Sequence, residues 1–221
     1  MPNLNIQPAL SVAGTRGIFL NAAQAQFDSR VQSKILALAS TVADLLFVSE
    51  VVPGVNSLLV VYDPRKLSAI TLMQTLSQLW DEAPDTEIEG RLFEIPVFYG
   101  GTRGEDLGDC ASHGGVSIEE FVRIHGESEY RVACLGAMPG FPYLTGMDSR
   151  LIIARRSTPR LSLAGGSVTI GGSHAGITPC TAPSGWHVIG YTDTQLFDSN
   201  AAVALLKPGD RIRFVSRGIA S

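Results

Sequence analysis

From Ser149 to Thr192 the chain carries no Asp or Glu, and glycine or proline stands every few residues. Such a stretch cannot hold a long helix, because glycine and proline are the poorest helix formers. It can hold short strands joined by tight turns. "RLSLA", "SVTIGG" and "HVIGYT" read as three of them, preceded by "EYRVACLGA" and followed by "RIRFVS". Many short strands with this punctuation predict a barrel or sandwich over the second half of the chain.

The first half has a different texture. Val31, Ile35, Leu38, Val42 and Leu45 recur at helical spacing, with Asp28 or Ser29 placed to cap the start. "LFVSEVV" and "NSLLVVYD" read as strands around a Pro53-Gly54 turn, and "PRKLSAITLMQTLSQLW" as a second helix with Pro64 in its first turn. With "PALSVAGTRGIFLN" as a first strand and "RLFEIPVFY" as a last one, the order is β-α-β-β-α-β, a ferredoxin-like layout. The expected fold class is therefore α+β, with domains over 1–97 and 98–221. A further helix at "SIEEFVRIHG" starts with Ser117 and Glu120 as a capping box.

Composition excludes several functions. A formal net charge of −4 argues against nucleic acid as a partner. No apolar run reaches the roughly 18 residues of a membrane span, and the N-terminus does not read as a secretory signal. Cys110, Cys134 and Cys180 form no CxxC pair, so reduced thiols in a cytoplasmic protein are expected, with neither a disulfide frame nor a zinc site. Lysine occurs only at positions 34, 66 and 207, and there is no GxxxxGK[ST] phosphate loop. "GGSHAG" departs from a nucleophile elbow at Ala175. No metal site is readable.

Four features carry chemistry. Arg155, Arg156 and Arg160 lie within six residues with no acid close in sequence, and a guanidinium fork matches carboxylate or phosphate. The alternative is solvation, or pairing with acids such as Glu127 and Glu129 across the fold. Gly171 and Gly172, with Ser167 before them, offer backbone that can approach a ligand; the alternative is tight barrel corners. Phe141 and Tyr143 flank Pro142, as in the wall of a small-molecule pocket, with core packing as the alternative. His174 stands in the glycine-rich stretch, where a proton-transfer group would be useful. His125 closes the capped helix, whose C-terminal dipole is expected to favour its protonated form.

Together "GAMPGFPYLTGMD", "RRSTPR", "AGGSVTIGG" and "GITPCTAPSGWHVIGYT" resemble the KipI / allophanate hydrolase subunit 1 family. "EVVPGVNSLLVVYDP", "EIPVFYGGTRGEDL" and "RIHGESEYRV" extend the resemblance over nearly the whole chain. It implies an N-terminal ferredoxin-like domain and a C-terminal cyclophilin-like β-barrel. It implies a heteromer with a homologous subunit of the allophanate hydrolase subunit 2 type, and ATP as cofactor. The implied activity is activation of 5-oxoproline, a small cyclic amide carboxylate, which a third subunit opens to glutamate. Two other branches are an inhibitor of a histidine kinase and a carboxyltransferase-like subunit of a urea carboxylase type system. The matching positions make Phe141, Tyr143, Arg155, Arg156, Arg160, Ser167, Gly171, Gly172 and Trp186 the expected substrate-binding set; His125 and His174, read from their places in the helix and the glycine-rich stretch, are the expected proton carriers. The chain departs from the family at Ala137, His174, Ala175, Thr178 and Ser184, all close to that set, which bears on the identity of the substrate.

Overall fold

The helical repeat that begins at Val31 forms α1 (Ser29–Ala43), and its spacing does what the sequence asks: Val31, Ile35, Leu38 and Val42 are fully buried. Asp28 caps it, its carboxylate accepting the amides of Arg30 and Val31. In this computed structural model, which describes residues 6–23, 27–84 and 89–220, α1 belongs to the first of two compact units, Met1–Glu89 and Gly90–Ser221.

The first unit runs β1 (Ala9–Ala13), β2 (Gly17–Asn21), α1, β3 (Val48–Gly54), β4 (Ser57–Tyr62) and α2 (Ala69–Glu82). Its strands form one antiparallel sheet in the order β1-β2-β4-β3. Ile18, Leu20, Leu58, Val60 and Tyr62 alternate onto the face that packs with Leu72, Leu76 and Trp80 of α2 and the buried stripe of α1. The element order is thus ββαββα rather than βαββαβ. Gly14 takes a positive φ of 63° and turns "PALSVAGTRGIFLN" into a hairpin instead of one strand. Pro64 does not start α2 either. Asp63 accepts the Arg65 amide in a turn, and Ser68 supplies the cap.

The second unit contains β5 (Leu92–Gly100), α3 (Leu107–His113), α4 (Ile118–Glu127), β6 (Tyr130–Leu135), β7 (Pro142–Thr145), β8 (Arg160–Leu163), β9 (Ser167–Gly171), β10 (His174–Ile177), β11 (Ala182–Ser184), β12 (His187–Tyr191), β13 (Phe197–Asp198), β14 (Val203–Ala204) and β15 (Arg211–Ala220). Seven of these strands close a barrel in the order β10-β7-β6-β15-β5-β12-β9. The segment "RLFEIPVFY", expected to end the first domain, is β5 of this barrel. It pairs in parallel with β15 from Leu92 to Gly100 and antiparallel with β12 at Phe98 and Tyr99. The division of the chain accordingly falls at 89/90 rather than at 97/98. Pro96 lacks an N–H, and β12 pairs only beyond it, so the proline costs the ladder little.

The barrel interior is aliphatic and aromatic: Ile95, Val97, Val132, Leu144, Val168, Ile170, Ile177, Ile189 and Phe214 are all buried. α4 starts on Ser117, whose hydroxyl accepts the Glu120 amide. The Glu120 side chain pairs with Arg123 instead of closing a capping box. All three cysteines are free thiols, with Cys110 and Cys134 buried and Cys180 exposed.

Candidate functional site

Three aromatic rings meet at one end of the acid-free stretch. Phe141 and Trp186 stand with ring centroids 5.5 Å apart and planes at 83°. Tyr143 completes the set, 5.2 Å from Phe141 and 5.8 Å from Trp186, again edge to face. This is the arrangement that ring quadrupoles favour. Two glycines make room for it. A Cβ on Gly176 would lie 2.6 Å from Cζ of Phe141, and one on Gly171 would lie 2.9 Å from the Trp186 indole. The strand β10 that carries Gly176 was hidden in the sequence because glycine spacing there reads as loop.

The rings form one wall of a cavity of about 320 Å³, also lined by Arg155, Arg156, Met138 and Ser184. Ala137, on its rim, holds a positive φ of 62°, unusual for a residue with a Cβ. Arg155 lies over the Trp186 ring at 5.6 Å, a cation–π contact. Among the described residues no carboxylate lies within 4.0 Å of Arg155.

Its neighbours differ. The Arg156 Nη1 donates to Oδ1 of Asp106 at 2.9 Å, and the Arg160 Nη2 donates to the same oxygen at 2.9 Å and to Oε1 of Glu105 at 2.7 Å. The acids come from the start of α3, about fifty positions earlier in the sequence. Glu127 and Glu129, nearer in sequence, pair elsewhere, with Arg123 and Arg211. Asp106 is 4 % exposed. Burial alone would raise its carboxyl, but hydrogen bonds from Arg160 and from the Val188 amide, with the Arg156 charge beside them, hold it below the usual carboxylate value. The Arg156 backbone in turn donates to the Gly185 carbonyl at 2.8 Å, next to Trp186.

The structure therefore gathers Phe141, Tyr143, Arg155, Arg156 and Trp186 around one cavity and places the other expected residues outside its lining. Arg160 is not in the cavity lining; its Nε and Nη2 donate to Glu105 and its Nη2 also to Asp106. Ser167 is 2 % exposed and gives its hydroxyl to the Ala164 carbonyl at 2.8 Å. Gly171 lies against the Trp186 ring. Gly172 donates its amide to the Ile153 carbonyl at 2.7 Å.

His125 is 0 % exposed, in the barrel core, stacked on Phe214 at 4.5 Å, with its Nδ1 2.7 Å from the Tyr99 hydroxyl. Burial lowers its pKa to about 3, so the helix dipole does not make it a cation. His174, half-buried on β10, lies 6.3 Å from the Tyr143 ring. Burial and then the nearby Arg155 charge lower its pKa, leaving a neutral imidazole beside the aromatic cluster.

Comparison with known proteins decides the family. The chain matches the family described as "Carboxyltransferase domain, subdomain C and D" over residues 8–206. The chain belongs to this family. Among curated members of similar sequence, a 5-oxoprolinase subunit of Escherichia coli O157:H7 is 41 % identical over 185 residues, 83 % of this chain and 85 % of that protein. The same 5-oxoprolinase subunit from Haemophilus influenzae is 42 % identical over 189 residues, 85 % of this chain and 88 % of that one. The crystal structure of TTHA0988 superposes with a TM-score of 0.78 at 33 % identity, covering 91 % of this chain. This chain spans only 39 % of TTHA0988.

ATP, implied by the resemblance, does not fit the cavity of this carboxyltransferase-family chain. A triphosphate with its cation calls for several unpaired positive groups or a cradle of amides, and for oxygen ligands to the metal. Among the described residues the cavity offers Arg155 alone as a cation without a carboxylate partner. Among the described residues no three His, Cys, Asp or Glu side chains converge. No helix among them is long and apolar enough to cross a membrane.

Proposed function

We propose that this chain is the carboxylate-binding subunit of an ATP-dependent complex that activates 5-oxoproline for hydrolysis to glutamate, working in the cytoplasm with a homologous second subunit and a third, ring-opening one. The observation that carries the reading is Arg155, held over Trp186 without a carboxylate partner, at a cavity of about 320 Å³ walled by aromatic rings. A small ring with one carboxylate matches that shape and charge: the lactam lies against the rings and the carboxylate meets the guanidinium. The names of the curated relatives support the same substrate. The seven-strand barrel is read as the cyclophilin-like barrel that the resemblance implies. ATP is assigned to a site that the homologous subunit completes, since this cavity lacks the groups to hold it. His174, neutral beside Tyr143, is the proton carrier of this reading, and His125 has no part in it.

The test is reconstitution. Coexpression with the homologous subunit should give a copurifying complex, and addition of the third subunit should give glutamate that depends on both ATP and 5-oxoproline. This chain alone should give none. Robust turnover by the single chain would sink the reading. The family's description favours a second one, a carboxyltransferase-like subunit; ATP- and biotin-dependent carboxylation with no glutamate formed would select it.

A further inference from the structure

The arginine cluster has a charge count, and that count sets which ligands the cavity accepts. Arg155, Arg156 and Arg160 supply three positive charges, and Glu105 and Asp106 supply two negative ones within 2.9 Å of two of those guanidinia. The balance is one positive charge, and it sits on Arg155, the arginine that faces the rings. His174 beside it is neutral, its pKa lowered by burial and by Arg155 itself. Arg156 lines the cavity, but its Nη1 is turned to Asp106.

We propose that Asp106 and Glu105 are specificity-determining residues: by cancelling Arg156 and Arg160 they leave a single cation and restrict the cavity to monoanions. The inference rests on the reading that this cavity holds the ligand. Asp106 is placed for the task. It is almost fully buried, and its second oxygen is fixed by the Val188 amide at 2.7 Å, so the carboxylate cannot swing away to free the arginines. Glu105 is the exposed member of the pair, with more than half of its side chain in solvent, so it takes the smaller share of the effect. A phosphate or a dicarboxylate entering the cavity would leave one of its charges without a partner in a half-enclosed space, and that is costly. A ligand with one carboxylate leaves none. Removing the Asp106 charge should convert the site, because Arg156, which lines the cavity, becomes available to a second negative charge on the ligand; removing Glu105 acts more weakly, by leaving Arg160, outside the lining, to draw on the Asp106 that Arg156 shares.

The experiment uses the full chain, alone and copurified with the homologous subunit. It is titrated with 5-oxoproline, its uncharged carboxamide, glutarate and inorganic phosphate. The unsubstituted protein should prefer 5-oxoproline to all three. In Asp106→Asn, which keeps an acceptor for the Val188 amide, the ratio of glutarate to 5-oxoproline affinity should rise about tenfold, the effect of one added charge-assisted hydrogen bond. Glu105→Gln, at an exposed position, should fold normally and move the same ratio by about two- to fivefold. It carries the test if Asp106→Asn does not fold. A uniform loss of affinity for every probe in either variant would make these acids mere scaffold and overturn the proposal. So would a folded Glu105→Gln with an unchanged ratio. If instead Arg155→Ala binds 5-oxoproline as well as the unsubstituted protein does, the cavity is not the ligand site and the underlying reading falls first.

Discussion

The Asp106 carboxylate holds the Arg156 guanidinium at 2.9 Å while its other oxygen takes the Val188 amide at 2.7 Å. One buried side chain thus ties the start of α3 to β12 and to the arginine loop. Removing it leaves Arg156 and part of Arg160 facing an uncompensated pocket. Loss of one partner from a buried pair costs about 3–5 kcal/mol, and the partial exposure of both arginines reduces this to about 2 kcal/mol. Asp106→Ala should therefore lower the unfolding free energy by roughly that amount in urea. A denaturation midpoint unchanged from the unsubstituted protein would show that the tie is dispensable.

Arg155 has the opposite signature. It has no carboxylate partner to lose, so Arg155→Ala should leave the melting temperature within about one degree of the original, as for other surface changes away from structural features. Its effect should appear in binding. A charge-assisted hydrogen bond contributes about 1.5–3 kcal/mol, so 5-oxoproline affinity in the complex should fall about 10- to 150-fold. Affinity for the uncharged carboxamide should hardly move. Arg155→Lys should recover little, since a point charge lacks the planar fork and its stacking on Trp186. Parallel losses for acid and amide would mean that Arg155 shapes the wall and does not read charge.

The contrast between Arg155 and Arg156 marks the limit of the sequence. Spacing identified the arginines and the aromatic residues around Pro142, because both signals are local. It could not tell which arginine is already paired, because Glu105 and Asp106 lie some fifty positions away and meet the loop only through barrel closure. α1 was legible from its periodicity and its Asp28 cap. β5 was recognised as a strand but assigned to the wrong unit, since a strand does not announce its neighbours and its pairing with β15 spans more than a hundred residues. β10 was unreadable because Gly176, which exists to admit the Phe141 ring, reads as a turn signal.

Gly176 gives a steric prediction. A Cβ there would approach Cζ of Phe141 at 2.6 Å, closer than side chains tolerate, and Phe141 is wedged between Tyr143 and Trp186. Gly176→Ala should displace the ring and cost about 1–3 kcal/mol, the usual range for overpacking. The near-ultraviolet circular dichroism of the aromatic cluster should change with it. Phe141→Leu in the same chain should recover part of the loss. An unperturbed spectrum at native stability would show that the cluster relaxes freely and is not shaped by the glycine.

His125 makes the stability of the second unit depend on pH. Folded, it is buried against Phe214 and Tyr99, and burial lowers its pKa from 6.5 to about 3. The unfolded chain binds a proton at this position below about pH 6.5, and the folded chain does not until about pH 3. Between those values the unfolded state holds more protons, so stability is full above pH 6.5 and falls as the pH drops. The slope from one such group approaches about 1.4 kcal/mol per pH unit. His174, whose pKa is also lowered by burial, adds in the same direction. The carboxylates held below their ordinary value, such as Asp148 at about 2 and Glu119 and Glu120 below 4.5, act under about pH 5, so the interval from roughly pH 5.5 to 6.5 belongs to the histidines. His125→Phe should be less stable than the original at pH 7, because Tyr99 loses its hydrogen-bond partner. It should nevertheless lose stability more slowly on acidification through that interval. Urea denaturation at half-unit steps from pH 7.5 to 4.5 measures both slopes, and identical slopes would remove His125 as the origin of the acid sensitivity.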